Sequence, residues 1–338
     1  MSNIRVKKPE FYQSFMKEGF FPNANKITKF QNSDNYWIFK TGELIYKVKK
    51  KEETTSAVPL EEMFCIEICK QLLKHSPSLD AKIFTVKEIN GSFTVDWDNT
   101  VLKEALYYGL SMKQLPSRGF LSDIIEKKKL TETILDRIAQ RLYQFHSNAE
   151  ISKSKDDGSP DVLSSKIQDL FYQSKKFLNT TINKATIDMT LRPLEKFLVE
   201  NRKLFLRRLK REQIRLIHGC FVPRKIHLTN EEINFLGRTT DPLKNQYHDV
   251  ASDLADLTVM LIHAKQDQLA SYFVNSYCQL SGDKETGQVL PVYQAIKCLE
   301  LGLKNSIKSK QSDNLLSQKQ KELATQYYKH TIDVVRSL

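Results

Sequence analysis

Short runs of β-branched and aromatic residues dominate the first part of the chain. Runs 36–40 and 44–48 are separated by Thr-Gly-Glu, a spacing typical of a hairpin. Runs 82–89 and 92–97 flank Asn90-Gly91, and Asn-Gly between apolar runs is a strong hairpin signal. A further strand is predicted at 104–112, and residues 59–74 carry apolar side chains at helical spacing. The pattern therefore predicts a strand-rich region with one helix.

Helical periodicity dominates the remainder. Helices are predicted at 131–149, 162–178, 191–213, 250–263, 266–280, 292–309 and 315–335. Strand-like runs at 214–217, 225–228 and 233–236 interrupt them. This order predicts an α+β, bilobal protein-kinase-like fold, with a small strand-rich N-lobe at 1–112. The larger helical C-lobe is predicted at 113–338 and includes a strand–loop segment at 214–248.

The net charge of the chain indicates a class of binding partner. The chain has 338 residues with 52 Lys+Arg against 40 Asp+Glu, a formal net charge of +12. This balance favours anionic partners, such as nucleotides, nucleic acid, acidic proteins or a membrane surface. Since the basic residues are spread widely, a solvated surface explains them equally well.

The chain shows no sign of export or of a membrane span. Its five cysteines include no CxxC pair, and no apolar run resembles a signal peptide or a transmembrane helix. We therefore expect reduced thiols and a cytoplasmic protein.

Several motifs point to one family. They are Y-K-V-K-K at 46–50, F-C-I-E at 64–67, S-M-K-Q-L-P at 111–116, R-I-A-Q-R-L-Y-Q-F-H at 137–146 and Y-H-D-V-A-S-D-L-A at 247–255. Together they resemble the aminoglycoside-phosphotransferase-like domains of the type found fused to P-loop kinase domains. The resemblance runs from about residue 30 to about 335, although no P-loop motif occurs in the chain.

The resemblance implies roles for residues of the N-lobe. In such enzymes, a lysine on a strand binds the phosphates and forms an ion pair with a glutamate on a helix. Lys49 and Glu67 match that pair. Lys47 is the competing candidate, because we expect strand register to decide which lysine points inward. Met112 lies in the segment that resembles the inter-lobe hinge, where a nucleotide would bind.

The catalytic loop departs from the family pattern. The family motif is H-G-D-L-H-x-x-N, whereas residues 218–225 read H-G-C-F-V-P-R-K. Cys220 replaces the aspartate that orients the acceptor hydroxyl, and Lys225 replaces the metal-binding asparagine. Gly237 stands where the second metal-binding aspartate is expected. We therefore predict no catalytic residues and no metal site, while His218, Asp249 and Asp253 keep structural roles.

The replacements place cations where metals would sit. Lys225 and Arg238 would hold phosphate oxygens without magnesium, since charged nitrogen donors make strong hydrogen bonds to them. A nucleotide such as ATP is the candidate ligand. Alternatively, the two cations form salt bridges inside a closed cleft, for instance with Glu67 or Asp241.

Three functional interpretations stay open. The first is a catalytically inactive pseudokinase with a regulatory or scaffolding role, which binds a protein partner, an anionic ligand or both. The second is a phosphotransferase or nucleotidyltransferase with unusual active-site residues. The third is a nucleic-acid or polyanion binder, which lacks a recognised binding module. The partner, the pathway and the oligomeric state cannot be inferred from the sequence.

Overall fold

The computed structural model describes residues 8–21, 26–33, 35–51, 65–66, 68–70, 72, 74, 76–97, 105–237, 247–311 and 314–338. These residues form two compact units. The first lies within Met1–Asp123 and Lys225–Lys244, and the second within Ile124–Arg224 and Asn245–Leu338. The strand pair that follows Lys225 thus belongs to the first unit. The division after residue 112 was drawn from the sequence pattern and stays a prediction.

The first unit is built on an antiparallel sheet of six strands, in the order β1-β2-β3-β6-β4-β5. These strands are β1 (Lys29–Asn32), β2 (Tyr36–Lys40), β3 (Leu44–Lys49), β4 (Lys82–Ile89), β5 (Ser92–Asp96) and β6 (Tyr107–Lys113). Both predicted hairpins are confirmed. Asn90 and Gly91 have φ of +51° and +76°, the left-handed pair that a two-residue hairpin turn needs.

One strand and one short helix of this unit were not predicted. β1 reads K-F-Q-N and forms because it pairs with β2, where Phe30 lies opposite Phe39. The helix α1 (Tyr12–Phe15) contributes Phe15 to the aromatic core on one face of the sheet. Both elements depend on apolar contacts outside their own few residues, so their local sequence is a weak signal.

Alternation along the strands divides the core of this unit in two. Tyr46 and Val48 of β3 pack with Phe39 and Phe84 on one face. On the other face, a second cluster gathers Ile45 of β3, strand β6 residues and helical residues. The predicted helix at 59–74 is described only in part, and every described residue from 65 to 74 is helical.

Helices form most of the second unit. They are α2 (Leu121–Glu126, which begins in the first unit), α3 (Glu132–Ser147), α4 (Pro160–Ser174), α5 (Lys184–Glu200), α6 (Arg202–Lys210), α7 (Ala251–His263), α8 (Asp267–Ser281), α9 (Thr286–Gln311) and α10 (Asn314–Val335). The side chains of Thr131, Ser159 and Asn183 cap the N-termini of α3, α4 and α5. Helix α7 is buried along nearly all its length.

One predicted helix boundary was wrong. A single helix was expected at 191–213, but α5 ends at Glu200 and α6 begins at Arg202. Asn201 breaks the run because its backbone leaves helical geometry, with φ of −101° and ψ of +18°. Its side-chain amide donates to the carbonyl of Phe197 at 3.0 Å and so caps the end of α5. No described helix is long and apolar enough to cross a bilayer.

The predicted strand–loop segment contains short strand pairs in both units. β8 (Ile226–Leu228) pairs with β9 (Ile233–Phe235) in the first unit. β7 (Ile214–Leu216) pairs with β10 (Tyr247–Asp249) in the second. Both pairs are antiparallel. Along the chain, β7 precedes and β8 follows the residues for which a catalytic loop was expected.

Candidate functional site

Lys47 and Lys49 lie on the same face of β3. Residues two apart in a strand share a face, so register cannot decide between them, and that expectation was wrong. Lys49 is 2% exposed, and its ammonium lies 5.7 Å from the ring centroid of Tyr36. Lys47 is half-buried and makes no ion pair or hydrogen bond with a described residue. The two lysines therefore differ in burial because of their positions along the strand, although they lie on the same face.

Lys47 carries a perturbed charge. Burial, together with the nearby positive charges of Lys225 and Lys40, lowers its pKa to about 8. An anion bound beside Lys47 would therefore relieve a repulsion that the unliganded protein contains.

The structure brings Lys225 and Gly237 together. The ammonium of Lys225 donates a hydrogen bond to the carbonyl oxygen of Gly237, and Leu236 N–H donates to the carbonyl of Lys225 at 2.8 Å. Gly237 has φ of +58°, and a Cβ there would lie 3.8 Å from the Lys225 Nζ. The two positions that resemble the metal ligands of the family are thus adjacent, with a cation at one of them.

The β8–β9 hairpin is fixed to the sheet of the same unit. The Nε2 of buried His227 lies 3.0 Å from the carbonyl oxygen of Pro116, and burial lowers the pKa of this histidine. A Cβ on Gly119 would lie 2.3 Å from the same nitrogen, so only glycine fits there. Leu236 packs against the cluster that contains Met112. Lys225 therefore begins a hairpin that is held to the rest of the first unit by a hydrogen bond and by apolar packing.

The other predicted ligand-binding residues have different outcomes. Met112 is a buried residue of β6, opposite Ile45 of β3. Its contacts are those of a core residue. Glu67 and Arg238 lie outside the described residues, so their predicted roles stay predictions.

In the second unit, Asp253 supports the loop at 218–221. Its carboxylate accepts the backbone N–H groups of His218 and Gly219, each at 2.8 Å. Asp253 is fully buried and also lies 3.0 Å from Nε2 of His146, whose Nδ1 is 2.8 Å from the Tyr277 hydroxyl. Burial opposes the charge, but the contacts with His146 and His218 together outweigh it and lower the pKa of Asp253.

A second carboxylate, which sequence reasoning missed, supports the same loop. Asp256 accepts the backbone N–H of Phe221 at 2.7 Å and pairs with Lys297 Nζ at 2.5 Å. Burial opposes the charge of Lys297, yet the carboxylates of Asp256 and Glu300 outweigh it and raise its pKa. Half-buried Cys220 lies within this loop. The spacing of Asp256 three residues after Asp253 on one helix was the available signal.

Both carboxylate oxygens of Asp249 accept hydrogen bonds from other groups of the protein. Its two oxygens accept from Nε and Nη2 of Arg208, which is fully buried and also bonds Asp283 at 2.9 Å. The N–H of Ala251 donates to the same carboxylate at 2.8 Å. Asp249 is therefore unsuited to hold a metal. Sequence reasoning singled out Asp249 but missed Arg208, which sits inside a basic run and resembles a surface residue.

The described part of the chain also contains no cluster of the side chains that commonly bind metals. No group of three or more His, Cys, Asp or Glu side chains is arranged there to hold an ion.

Known structures share the architecture of this chain. An aminoglycoside phosphotransferase, APH(4)-Ia in its apo form, is 14% identical with a TM-score of 0.54, covering 92% of this chain and 95% of that one. The GDP complex of aminoglycoside 2'-phosphotransferase-IIIa is 12% identical with a TM-score of 0.52, covering 96% and 99%. The protein has the kinase-like fold of the aminoglycoside phosphotransferases.

Choline and ethanolamine kinases share this kinase-like fold. A choline/ethanolamine kinase family protein from Mesorhizobium loti is 12% identical with a TM-score of 0.52, covering 92% of both chains. No protein-family model and no curated protein matches the sequence. These comparisons confirm the predicted α+β kinase-like fold, and at such low identity they establish the fold alone.

Proposed function

We propose that this chain is a pseudokinase that binds an anionic ligand, such as ATP, without magnesium. Its role is regulatory or scaffolding, exerted through a protein partner, and not phosphoryl transfer. The single observation that carries the proposal is the hydrogen bond from the Lys225 ammonium to the Gly237 carbonyl. The family resemblance implies a metal bound by two side chains at these positions, so a cation held there supports metal-free binding of an anion.

The lysines of the first unit support the ligand class. The charge of Lys225 acts on Lys47, and Lys49 lies on the same strand face. Ammonium groups donate charge-assisted hydrogen bonds to phosphate oxygens, and each such bond contributes roughly 1.5–3 kcal/mol. Lys47 and Lys225 make no ion pair with a described carboxylate, so a ligand would supply the counter-charge.

The proposed loss of phosphoryl transfer is supported by the residues that replace the family's catalytic residues. A thiol at Cys220 is a poor substitute for a carboxylate, and Asp249 is bound by Arg208. A positioned acid–base group contributes about 10²–10⁴-fold to a rate, and a metal ion contributes several kcal/mol more. Removing both lowers the rate by roughly 10⁵-fold or more if the two effects are independent.

Calorimetric titration with ATP, first with magnesium and then with EDTA, tests the proposal. We expect equal affinity in both buffers and no ADP after prolonged incubation. Lys225→Met should weaken binding by about 10–100-fold, the value of a charged hydrogen bond. Lys196→Met is the matched control, because Lys196 is exposed on α5 in the other unit and pairs only loosely with Glu200.

Two outcomes would contradict the proposal. Magnesium-dependent binding with ADP formation would favour the phosphotransferase or nucleotidyltransferase interpretation. No heat in either buffer would remove ATP as the ligand and leave only the scaffolding role.

A further inference from the structure

An exposed apolar patch lies where α9 ends and α10 begins. Leu315 is 86% exposed, Leu316 51% and Ile307 41%. The hydroxyl of Ser317 donates to the carbonyl of Ser309 at 2.7 Å, which ties the first turn of α10 to the last turn of α9. The three apolar side chains therefore belong to the tip of one helical hairpin, and we call them the Leu315 patch.

Lysines surround the Leu315 patch. Residues 304–321 contain five lysines and one acidic residue, Asp313. Lys310 and Lys319 are exposed, and neither makes an ion pair with a described residue. The ammonium of Lys310 lies 4.6 Å from the ring centroid of Phe177, which brings the exposed Lys175 and Lys176 to the same end of the unit. The rim of the patch is therefore strongly cationic.

We propose that the Leu315 patch docks on an anionic lipid surface. Exposed leucines with flanking lysines form the pair of signals that surface binding requires, because the leucines enter the acyl boundary while the lysines meet anionic headgroups. A patch of only three exposed apolar side chains also suits a deformable lipid layer better than a protein partner, which would need a complementary area of about 800 Å². The proposal is independent of any ligand bound in the first unit.

The charge of the rim sets the size of the effect. Each lysine close to an anionic membrane changes affinity by about fivefold. Salt screens such interactions over about 8 Å at physiological ionic strength. Binding should therefore weaken when salt is raised, although the leucine contribution should persist.

Co-sedimentation of the full chain with vesicles tests this inference. The vesicles contain either phosphatidylcholine alone or phosphatidylcholine with phosphatidylserine. We expect binding to the anionic vesicles only, and Leu315→Gln with Leu316→Gln should reduce it at least tenfold. Lys310→Gln with Lys319→Gln should reduce it by about 25-fold, from the fivefold effect per lysine.

Matched controls keep the test specific. Val199 on α5 is 75% exposed, so Val199→Gln removes a comparable apolar side chain elsewhere on the same unit. Lys196→Gln removes one charge at a distant exposed site. Both variants should bind like the wild type, and circular dichroism should show that all variants fold.

Several results would overturn the proposal. They are equal binding to neutral vesicles, no binding to either kind, or an equal loss in Val199→Gln. Polyglutamate is a further probe, because it carries the charge without the lipid. If it competes fully and the leucine variants bind anionic vesicles normally, the patch is a polyanion site and not a lipid-docking surface.

Discussion

The ammonium of Lys225 and the carbonyl oxygen of Gly237 meet at the base of the β8–β9 hairpin. The two residues are 12 apart in the chain, and the hairpin between them makes them neighbours. The family resemblance expects a metal ligand at each position. Here a lysine supplies the positive charge and a backbone oxygen accepts its hydrogen bond.

Gly237→Asp should weaken ATP binding in EDTA. The new carboxylate would lie beside the Lys225 ammonium, since a Cβ at position 237 is 3.8 Å from its Nζ. The resulting ion pair neutralises the cation, and we expect an affinity loss of about tenfold or more. Gly237→Asn is the matched control, because both variants place a side chain at φ of +58° and so carry a similar strain of about 1–2 kcal/mol. Equal affinity of the two variants would show that the charge of Lys225 does not serve the ligand.

Anion binding should depend on pH through Lys47. Its pKa is lowered to about 8 by burial and by the charges of Lys225 and Lys40. A bound anion favours the protonated form, so binding takes up a proton, and affinity should fall by up to about tenfold per pH unit above pH 8. Titrations in buffers of different ionisation enthalpy measure that uptake directly.

Lys47→Arg isolates this effect, because arginine stays charged throughout the range. Its affinity should stay nearly constant where that of the wild type falls. The pH dependence of stability has the opposite sign to the pH dependence of anion affinity. Between about pH 8 and the ordinary lysine pKa of about 10.4, the unfolded state binds more protons, so the unliganded protein gains stability as pH rises. A flat wild-type binding profile would remove Lys47 from the site.

Asp253→Ala should destabilise the second unit by about 3–5 kcal/mol. The substitution leaves the buried donors of His218, Gly219 and His146 without their acceptor. Circular dichroism at 222 nm during urea unfolding measures this loss. The two tryptophans of the chain, Trp37 and Trp97, lie in the first unit, so their fluorescence reports that unit separately.

Exposed Asp333 provides the control for Asp253, and Asp333→Ala should cost less than about 1 kcal/mol. The pKa of Asp253 is lowered, so its contribution is fully present above the ordinary aspartate pKa of about 3.9 and is lost as pH falls below that value. A similar cost for both variants would contradict the role of Asp253 in holding the loop.

Two glycines of α9 should respond in opposite ways to alanine. A Cβ at Gly302 would lie 2.7 Å from the ring of Tyr328 on α10, whereas a Cβ at Gly287 meets nothing within 4 Å. Gly302→Ala should therefore cost about 1–3 kcal/mol through overpacking. Gly287→Ala should be neutral or should stabilise by up to about 1 kcal/mol. Urea unfolding followed at 222 nm compares them, and an equal response would mean that α9 and α10 do not pack this closely.

Local pattern alone determined much of this protein. Asn90-Gly91 specifies its hairpin through backbone conformation, and periodic apolar residues specify α7 to α10. The sequence of the loop at 218–225 also shows by itself that this segment contains no aspartate and no asparagine. These features depend on residues that are close in the chain, which is why a sequence reveals them.

Only the tertiary structure decided the contacts between distant segments. Arg208 bonds Asp249 and Asp283, Lys297 pairs with Asp256, and Lys225 meets Gly237 because packed helices and a hairpin bring them together. A basic run in a sequence looks the same whether its arginine is solvated or fully buried. A buried charge is stable only beside partners that the fold supplies. Only the packed structure therefore shows which of the charged residues are buried.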